Sequence, residues 1–284
     1  MGIEEKTSRR DVLKSGVATA AAAVAATSLT PALAKAAAEN RDPRWAMVLD
    51  LRRCIGCRAC TIACKAEFGV ALGRWRAVIK NVEFGKYPNT EKHFVPRLCN
   101  HCAGEAKESG QVPPCVEKCP EAKSGERKKL GDSRYRSGAT YKRPDGMIML
   151  DMDHCIGCYK CIKACPYGVR YIDPFSKLTK SNREKDLGVG KCTFCHHRVD
   201  QGLIPACVNT CPGRARIFGD LNDPDSEVAK LNKEFNLEKN SAKTTLLPGE
   251  KTAPHNFYID PDNILAVYKI DKETKEQEFR DKFE

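Results

Sequence analysis

The sequence predicts an α+β fold built from two copies of one cysteine-rich module, and three observations lead to this prediction. The stretch VLDLRRCIGCRACTIACK at 48–65 recurs as MLDMDHCIGCYKCIKACP at 149–166, with its cysteines at a constant offset of 101 residues. A second motif, CNHC followed by CVEKCP at 99–120, recurs as CTFC followed by CVNTCP at 192–212. All 16 cysteines fall into these four tetrads, so the chain consists of repeated units with no cysteine left over.

Residues 1–34 are predicted to be an export signal of the twin-arginine type. Arg9 and Arg10 precede an uncharged run at 15–34, which ends in the pattern Ala-Leu-Ala typical of a cleavage site. Alanine and threonine make this run weakly apolar, which favours a cleaved signal over a membrane anchor. Because this route carries folded proteins, the signal favours metal centres over disulfides. We therefore expect a periplasmic protein with no membrane span of its own after cleavage.

The rest of the chain is predicted to form a core at 35–221 and a C-terminal extension at 222–284. Residues 121–143 contain eight basic and three acidic residues and are interpreted as an inserted basic loop of the core. The extension contains no cysteine. Apolar runs predict strands at 45–51, 147–151, 255–259 and 264–270.

The tetrads have the spacing of iron–sulfur ligands. In the frame C-x2-C-x2-C-x3-C, three cysteines wrap around one cubane cluster and the fourth reaches another, as in two-cluster ferredoxins. Proline follows the fourth cysteine in the second, third and fourth tetrads, whereas Lys65 follows it in the first. Sixteen cysteine ligands predict four [4Fe-4S] clusters in ferredoxin-like modules.

Three other uses of cysteine fit less well. Zinc sites with four cysteines usually consist of two separated C-x2-C pairs, a pattern that the second and fourth tetrads have but the first and third lack. Disulfide scaffolds need no grouping into tetrads. A [3Fe-4S] or [2Fe-2S] cluster at one site stays open, although no cysteine position is replaced by histidine as in a Rieske centre.

Together these features resemble the iron–sulfur electron-transfer subunits of the dimethyl-sulfoxide-reductase type. The resemblance covers about residues 45–230 and is carried by the order of the tetrads and by the strings PRLCNHC, PPCVEKCP, CIGCYKCIKACPYGVRYIDP, KCTFCHHRVDQGLIPACVNTCP and ARIFGDLNDPDSEV. Members with a twin-arginine signal include subunits of periplasmic tetrathionate reductase, formate-dependent nitrite reductase and the sulfite-reduction-associated transmembrane complex.

The resemblance implies that the two modules are intertwined, because the family pairs tetrad one with four and tetrad two with three. Adjacency in the sequence alone would pair one with two and three with four. Carried over to this chain, the family pairing assigns four ligand sets: Cys54, Cys57, Cys60 and Cys211; Cys64, Cys192, Cys195 and Cys207; Cys99, Cys102, Cys115 and Cys165; and Cys119, Cys155, Cys158 and Cys161.

The expected function is electron transfer rather than catalysis. The sequence has no dinucleotide-binding fingerprint, P-loop or nucleophile–base arrangement. Its net charge of +11 is dispersed and accompanies no nucleic-acid recognition motif. The resemblance implies a role in anaerobic respiration, with sulfur compounds as one setting. The chain would carry electrons between a quinone-interacting integral membrane subunit and a molybdopterin or other redox subunit.

Two other functions stay open at this point: a freely diffusing exported polyferredoxin, and an exported zinc-binding structural module. Side chains near the ligands are expected to tune the cluster potentials through charge and hydrogen bonds. The candidates are Lys65, Arg58, His101 and His196. A cation beside a cluster is expected to raise its potential, because reduction adds negative charge.

Overall fold

The computed structural model describes residues 42–105, 110–178 and 187–268. The predicted export signal at 1–34 and the last two residues of the predicted strand at 264–270 lie outside the described residues. The strands are β1 (Trp45–Asp50), β2 (Ala77–Lys86), β3 (Asn89–Leu98), β4 (Arg127–Leu130), β5 (Ser133–Arg136), β6 (Thr140–Lys142), β7 (Ile148–Leu150), β8 (Tyr171–Lys177), β9 (Leu187–Gly190), β10 (Arg216–Asp220) and β11 (Asn256–Ile259). The α-helices are α1 (Ala59–Phe68), α2 (Pro114–Glu117), α3 (Lys160–Lys163), α4 (His196–Val199), α5 (Ala206–Asn209), α6 (Glu227–Phe235), α7 (Ser241–Thr244) and α8 (Ile264–Val267). In these three ranges, no helix has both the length and the apolar character needed to cross a bilayer.

A three-stranded sheet in the order β10–β1–β11 forms the centre of the fold. β1 pairs antiparallel with β10, with Trp45 opposite Asp220, and parallel with β11, with Met47 opposite Asn256. All six residues of β1 are buried, which explains why its sequence is a nearly continuous apolar run rather than an alternating one. The predicted strand at 45–51 is confirmed to within one residue.

The side chains of β1 alternate between two cores. Met47 and Leu49 belong to the larger core, which also contains buried cysteines. Ala46 and Val48 belong to a smaller core, to which α6 contributes Val228. The predicted C-terminal extension therefore supplies two elements of the central fold, α6 and β11.

Four antiparallel hairpins accompany this sheet: β2–β3, β4–β5, β6–β7 and β8–β9. They correct the prediction of a basic loop at 121–143, because this segment contains β4, β5 and β6. Gly131, with a positive φ of 55°, lies in the two-residue turn between β4 and β5. The basic side chains of β4 are exposed, so the charge of the segment belongs to the outer face of a hairpin.

The predicted strand at 264–270 is also corrected, because Ile264–Val267 forms α8. The Asp260 carboxylate accepts hydrogen bonds from the backbone N–H groups of Ile264 and Leu265, both at 2.8 Å. Satisfying these N–H groups favours the start of a helix over a strand, although the residues themselves are apolar and partly β-branched. The predicted strand at 255–259 is confirmed as β11.

The first and third tetrads have the same local backbone at the offset of 101 residues. A 3-10 turn follows the preceding strand in both, at Leu51–Arg53 and Met152–His154, and the side chain of Asp50 or Asp151 caps it. The glycine of the CIGC motif has a positive φ in both copies, 70° in the first and 68° in the second. A residue in the left-handed conformation then precedes α1 or α3. The same sequence frame thus gives the same loop twice.

Candidate metal centres

One cavity brings together cysteines from the first and fourth tetrads. Cys54, Cys57, Cys60 and Cys211 line it, and it contains about 350 Å³ of space that is partly open to solvent. Burial raises the pKa of the Cys54 thiol, while the backbone N–H of Gly56 donates a hydrogen bond that favours the thiolate. These four cysteines are called site A below.

A second cavity brings together cysteines from the second and third tetrads. Cys119, Cys155, Cys158 and Cys161 line it, and its space is about 340 Å³. Burial raises the pKa of the Cys155 thiol, and the N–H of Gly157 donates to this sulfur just as its counterpart does in site A. These four cysteines are called site D below.

Two further groups of thiols lie in the interior. The first, site B, consists of Cys64, Cys192, Cys195 and Cys207, which are all buried. Burial raises the pKa of Cys64 to about 12, and repulsion from the neighbouring thiols of Cys207 and Cys195 adds to the shift. Burial also raises the pKa of Cys192 well above its usual value, with Cys64, Cys207 and Cys195 among its neighbours. Site B therefore combines Cys64 of the first tetrad with three cysteines of the fourth.

The second interior group, site C, consists of Cys99, Cys102, Cys115 and Cys165. Burial raises the pKa of Cys102 well above its usual value, and the three other thiols contribute repulsion. The Thr252 hydroxyl donates a hydrogen bond to Cys102, which favours the thiolate. None of these cysteines is exposed. Site C combines three cysteines of the second tetrad with the last cysteine of the third.

Electrostatic interactions between thiols link the four groups in a row, in the order A, B, C, D. Three pairs of electrostatically interacting thiols connect successive groups: Cys60 and Cys207, Cys99 and Cys192, and Cys115 and Cys161. Cys57 in site A and Cys158 in site D are exposed, whereas no cysteine of sites B and C is. The row thus has an exposed thiol at each end and buried or partly buried thiols in its middle.

Two buried arginines lie among these thiols and are absent from the candidates that the sequence provided. Arg216 is 3.9 Å from Cys207 through Nη1, and Arg170 is 3.1 Å from Cys115 through Nη2. Each follows the fourth cysteine of its tetrad by five residues, in CPGRAR and CPYGVR. This shared spacing is the signal that would have identified them.

Lys191 and His101 lie near the boundary between sites B and C, and both are fully buried. The ammonium of Lys191 donates to the carbonyl oxygen of Cys192 at 2.7 Å. The ring of His101 stacks on Phe194 with 3.7 Å between centroids, and its Nδ1 accepts from the N–H of Ile148. Burial lowers the pKa of both side chains, so His101 is a neutral acceptor at this boundary.

The three other tuning candidates have different surroundings. Arg58 is exposed and precedes α1 in the left-handed conformation. The Lys65 ammonium donates to two carbonyl oxygens in the loop after α1, at 2.8 and 3.0 Å, and lies 4.3 Å from the centroid of the Trp75 ring. His196 is partly buried beside site B, and burial lowers its pKa. The contacts of Lys65 are therefore with the backbone and an aromatic ring.

The residues of the four sites fit cubane clusters. Each site offers four thiols, one for each iron corner. Iron binds the thiolate, so a cluster would displace the protons that burial otherwise holds on these sulfurs. Across 42–105, 110–178 and 187–268, no group of three or more His, Cys, Asp or Glu is arranged to hold a single metal ion.

Two family models match the chain. Residues 90–221 match a 4Fe-4S dicluster domain, and residues 45–66 match a 4Fe-4S binding domain. These matches together with the 16 cysteines fit four [4Fe-4S] clusters. The cofactor that the spacing predicted is therefore confirmed.

Several curated proteins of similar sequence are components of reductases. The chain is 36% identical to a subunit of the tetrathionate reductase of Salmonella typhimurium, over 79% of this chain and 75% of that one. It is 35% identical to a subunit of the selenate reductase of Mesobacillus selenatarsenatis, over 81% and 92% of the two chains. It is 34% identical to the arsenate respiratory reductase iron–sulfur subunit of a Shewanella species, over 79% and 100%. With this identity over most of both chains, and with the tetrads folded into four sites, the protein belongs to the family of iron–sulfur subunits of the dimethyl-sulfoxide-reductase type.

Proposed function

We propose that this chain is an electron-transfer subunit that relays single electrons through four [4Fe-4S] clusters, one at each of sites A, B, C and D. The observation that carries the proposal is the row of thiols, exposed at Cys57 and Cys158 and buried or partly buried between them. Such a row suits a relay, because electrons enter and leave at the exposed ends and pass through the less exposed middle. A bound cluster supplies a one-electron change at each site.

The protein's own residues hold and adjust these centres. The cysteines supply thiolates, and the N–H groups of Gly56 and Gly157 donate to the first sulfur of each CIGC motif. Hydrogen bonds to sulfur stabilise negative charge on the centre, which is one way in which a protein raises the potential of a cluster. Two intertwined modules, A with B and C with D, follow from this assignment, and the repeated backbone at an offset of 101 residues supports their origin by duplication.

We further propose that one end of the row exchanges electrons with a quinone-interacting membrane subunit and the other with a molybdopterin or other redox subunit outside the cytoplasm. The names of the relatives support this setting, since they describe subunits of a tetrathionate reductase, of an arsenate respiratory reductase and, in Archaeoglobus fulgidus, of a menaquinol oxidoreductase. The predicted twin-arginine signal at 1–34 supports a periplasmic location.

The C-terminal region builds β11 and α6 of the central fold, so its presence does not distinguish a docked subunit from a free carrier. Co-purification from detergent-solubilised membranes distinguishes a docked subunit from a freely diffusing carrier. Recovery of the chain with a membrane protein supports the docked subunit. Recovery of all of it in the soluble fraction, with its clusters intact, would favour the carrier.

The assignment of ligands is tested by serine variants of cysteines that are far apart in sequence. Cys54→Ser, Cys211→Ser and the double variant should each lose the same one of four EPR signals, and iron should fall from about sixteen to about twelve atoms per chain. Cys158→Ser is the matched control and should remove a different signal. Loss of two different signals from Cys54→Ser and Cys211→Ser would contradict the crossed pairing.

A further inference from the structure

Each of the two buried arginines lies between two neighbouring sites of the row. Arg216 is 3% exposed, and its guanidinium hydrogen-bonds the thiols of Cys207 in site B and Cys60 in site A. Its Nη1 is also 3.8 Å from the sulfur of Met47, while Nη2 has no hydrogen-bond partner. Arg216 therefore contacts both thiol groups of the first module.

Arg170 holds the corresponding place in the second module. It is 3% exposed, and its Nη2 is 3.1 Å from the sulfur of Cys115 in site C and 3.0 Å from the hydroxyl of Thr140. Its guanidinium also hydrogen-bonds Cys161 of site D, while Nη1 has no partner. A guanidinium thus bridges sites C and D in the same way.

Neither arginine has an ordinary counter-ion. In the described ranges, the groups whose electrostatic interaction stabilises these two guanidiniums are thiols and, for Arg216, the Tyr258 phenol, with no carboxylate among them. An unpaired buried cation costs several kcal/mol, so it requires a negative partner. Arginine stays charged in proteins and cannot lower this cost by losing its proton. Thiols of two sites are the neighbours available to each arginine.

From these contacts, and resting on the proposed function, we propose that Arg216 and Arg170 are shared counter-charges, each of which raises the reduction potentials of the two clusters that it lies between. Reduction adds negative charge to a cluster, and a fixed cation in a low-dielectric interior favours the reduced state. Because the cation contacts both sites, it raises both potentials together. The energy difference for an electron that steps between the two clusters is therefore changed less than either potential alone.

The experiment is an EPR-monitored redox titration of the full-length protein carrying Arg216→Gln or Arg170→Gln, with iron counted in each preparation. Arg216→Gln should shift the reduction equilibria of the clusters at sites A and B toward the oxidised form by at least about tenfold, which is about 59 mV for a one-electron couple. Sites C and D should stay unchanged. Arg170→Gln should shift the equilibria at sites C and D and leave those at sites A and B unchanged. The cysteine variants above assign the signals to the sites.

Exposed cations near the same sites provide matched controls. Arg58 and Lys163 are exposed, so solvent and salt screen their charge. Arg58→Gln and Lys163→Gln should shift the equilibria by less than about threefold. Arg216→Lys and Arg170→Lys keep the charge and should restore most of the parental potentials.

Potentials in Arg216→Gln or Arg170→Gln that move no more than those of the exposed controls, at full iron content, would overturn the proposal. If a glutamine variant loses iron, the lysine variant at the same position is the test. Parental potentials at full iron content support the proposal, and a tenfold shift of the reduction equilibria toward the oxidised form contradicts it. A parent chain with fewer than about sixteen iron atoms, or with signals other than those of [4Fe-4S] clusters, would instead contradict the proposed function itself.

Discussion

The first cysteine loop, at 45–69, and the third, at 146–170, follow the same path up to the fourth cysteine and then separate. In the first, Lys65 follows the fourth cysteine. The helix α1, which is ten residues long in total, continues past Lys65 to Phe68. In the third, α3 ends at Lys163 and Pro166 follows the fourth cysteine. Because proline lacks an N–H and disfavours a helical residue before it, it ends the helix that lysine allows to continue.

This difference changes which segment brings a cation to the thiols. At the shared offset, Gly69 in the first loop stands where Arg170 stands in the third. The first loop uses Gly69, with a φ of 55°, to end α1, so its own chain places no cation there. Arg216, at the start of β10, occupies the corresponding place between sites A and B. The two loops thus share the cysteine spacing and the backbone around it, but different segments supply the arginine beside their thiols.

The largest effect is expected from Lys65→Pro, which places a proline after the fourth cysteine of the first loop, as in the third loop. Proline inside α1 should cost about 3 kcal/mol or more, because it removes an N–H donor and clashes with the preceding turn. It also forces Cys64, a residue of site B, away from helical geometry. We expect the melting temperature to fall by roughly 6–12 °C, at about 2–4 °C per kcal/mol, and the iron content to fall.

Lys65→Met is the matched control, because it removes the charge and keeps the helix. It loses the hydrogen bonds to two carbonyl oxygens and should cost about 1–2 kcal/mol. It also tests the hypothesis that Lys65 tunes a potential, and any shift should be smaller than that of Arg216→Gln. Equal melting temperatures for Lys65→Pro and Lys65→Met would contradict the view that the residue after the fourth cysteine decides whether the helix continues.

A smaller effect is expected from Gly56→Ala in the first CIGC motif. Gly56 has a φ of 70°, and an added Cβ would lie 2.4 Å from the ring of Phe94. Backbone strain and displacement of the ring should together cost about 2 kcal/mol. Gly69→Ala, with a φ of 55° and no atom within 4 Å of the added Cβ, isolates the backbone strain and should cost about 1 kcal/mol. Thermal unfolding of both variants checks the order, and a reversed order would exclude the Phe94 contact as the cause.

The smallest effect is expected from Glu67→Gln, at a position that is Gly168 in the third loop. The Glu67 carboxylate accepts a hydrogen bond from His197 at 2.7 Å and pairs with Arg198 at 3.3 Å, and the contact with His197 lowers its pKa. A carboxylate with a lowered pKa stabilises the fold at neutral pH, and this contribution disappears as the pH falls through that pKa. We expect a loss of about 0.5 kcal/mol at pH 7, smaller in high salt. A loss that is independent of salt would indicate packing rather than charge.

The sequence was sufficient for the features that depend on local pattern. The spacing of the tetrads predicts the cofactor, and the apolar runs at 45–51 and 147–151 become β1 and β7. The high charge content of residues 121–143 led to the prediction of a loop in place of the β4–β5 hairpin, because exposed strands carry polar residues as loops do. Residues 264–267 form a helical turn because Asp260 caps it, an interaction that hydrophobic pattern does not reveal.

The surroundings of the thiols depend on contacts between distant segments. Cys54 and Cys211 meet in site A although 157 positions separate them, and spacing alone left two pairings open. Arg170 and Arg216 were not predicted as site residues, because their position among the thiols also depends on contacts between distant segments. Both look like ordinary basic residues in a chain of net charge +11 unless their shared spacing from the fourth cysteine is noticed, and the structure adds that both are buried against sulfur.

The position of β1 has a consequence for synthesis on the ribosome. β1 leaves the ribosome before every other described strand, yet its partners are β10 and β11, the last two. Its six buried residues therefore have no strand partner until β10 has been made, and the three-stranded sheet is complete only when the chain has been made through Ile259. The centre of this fold is therefore completed late in synthesis. A chain that ended directly after Cys211 would contain every cysteine and still lack both partners of β1.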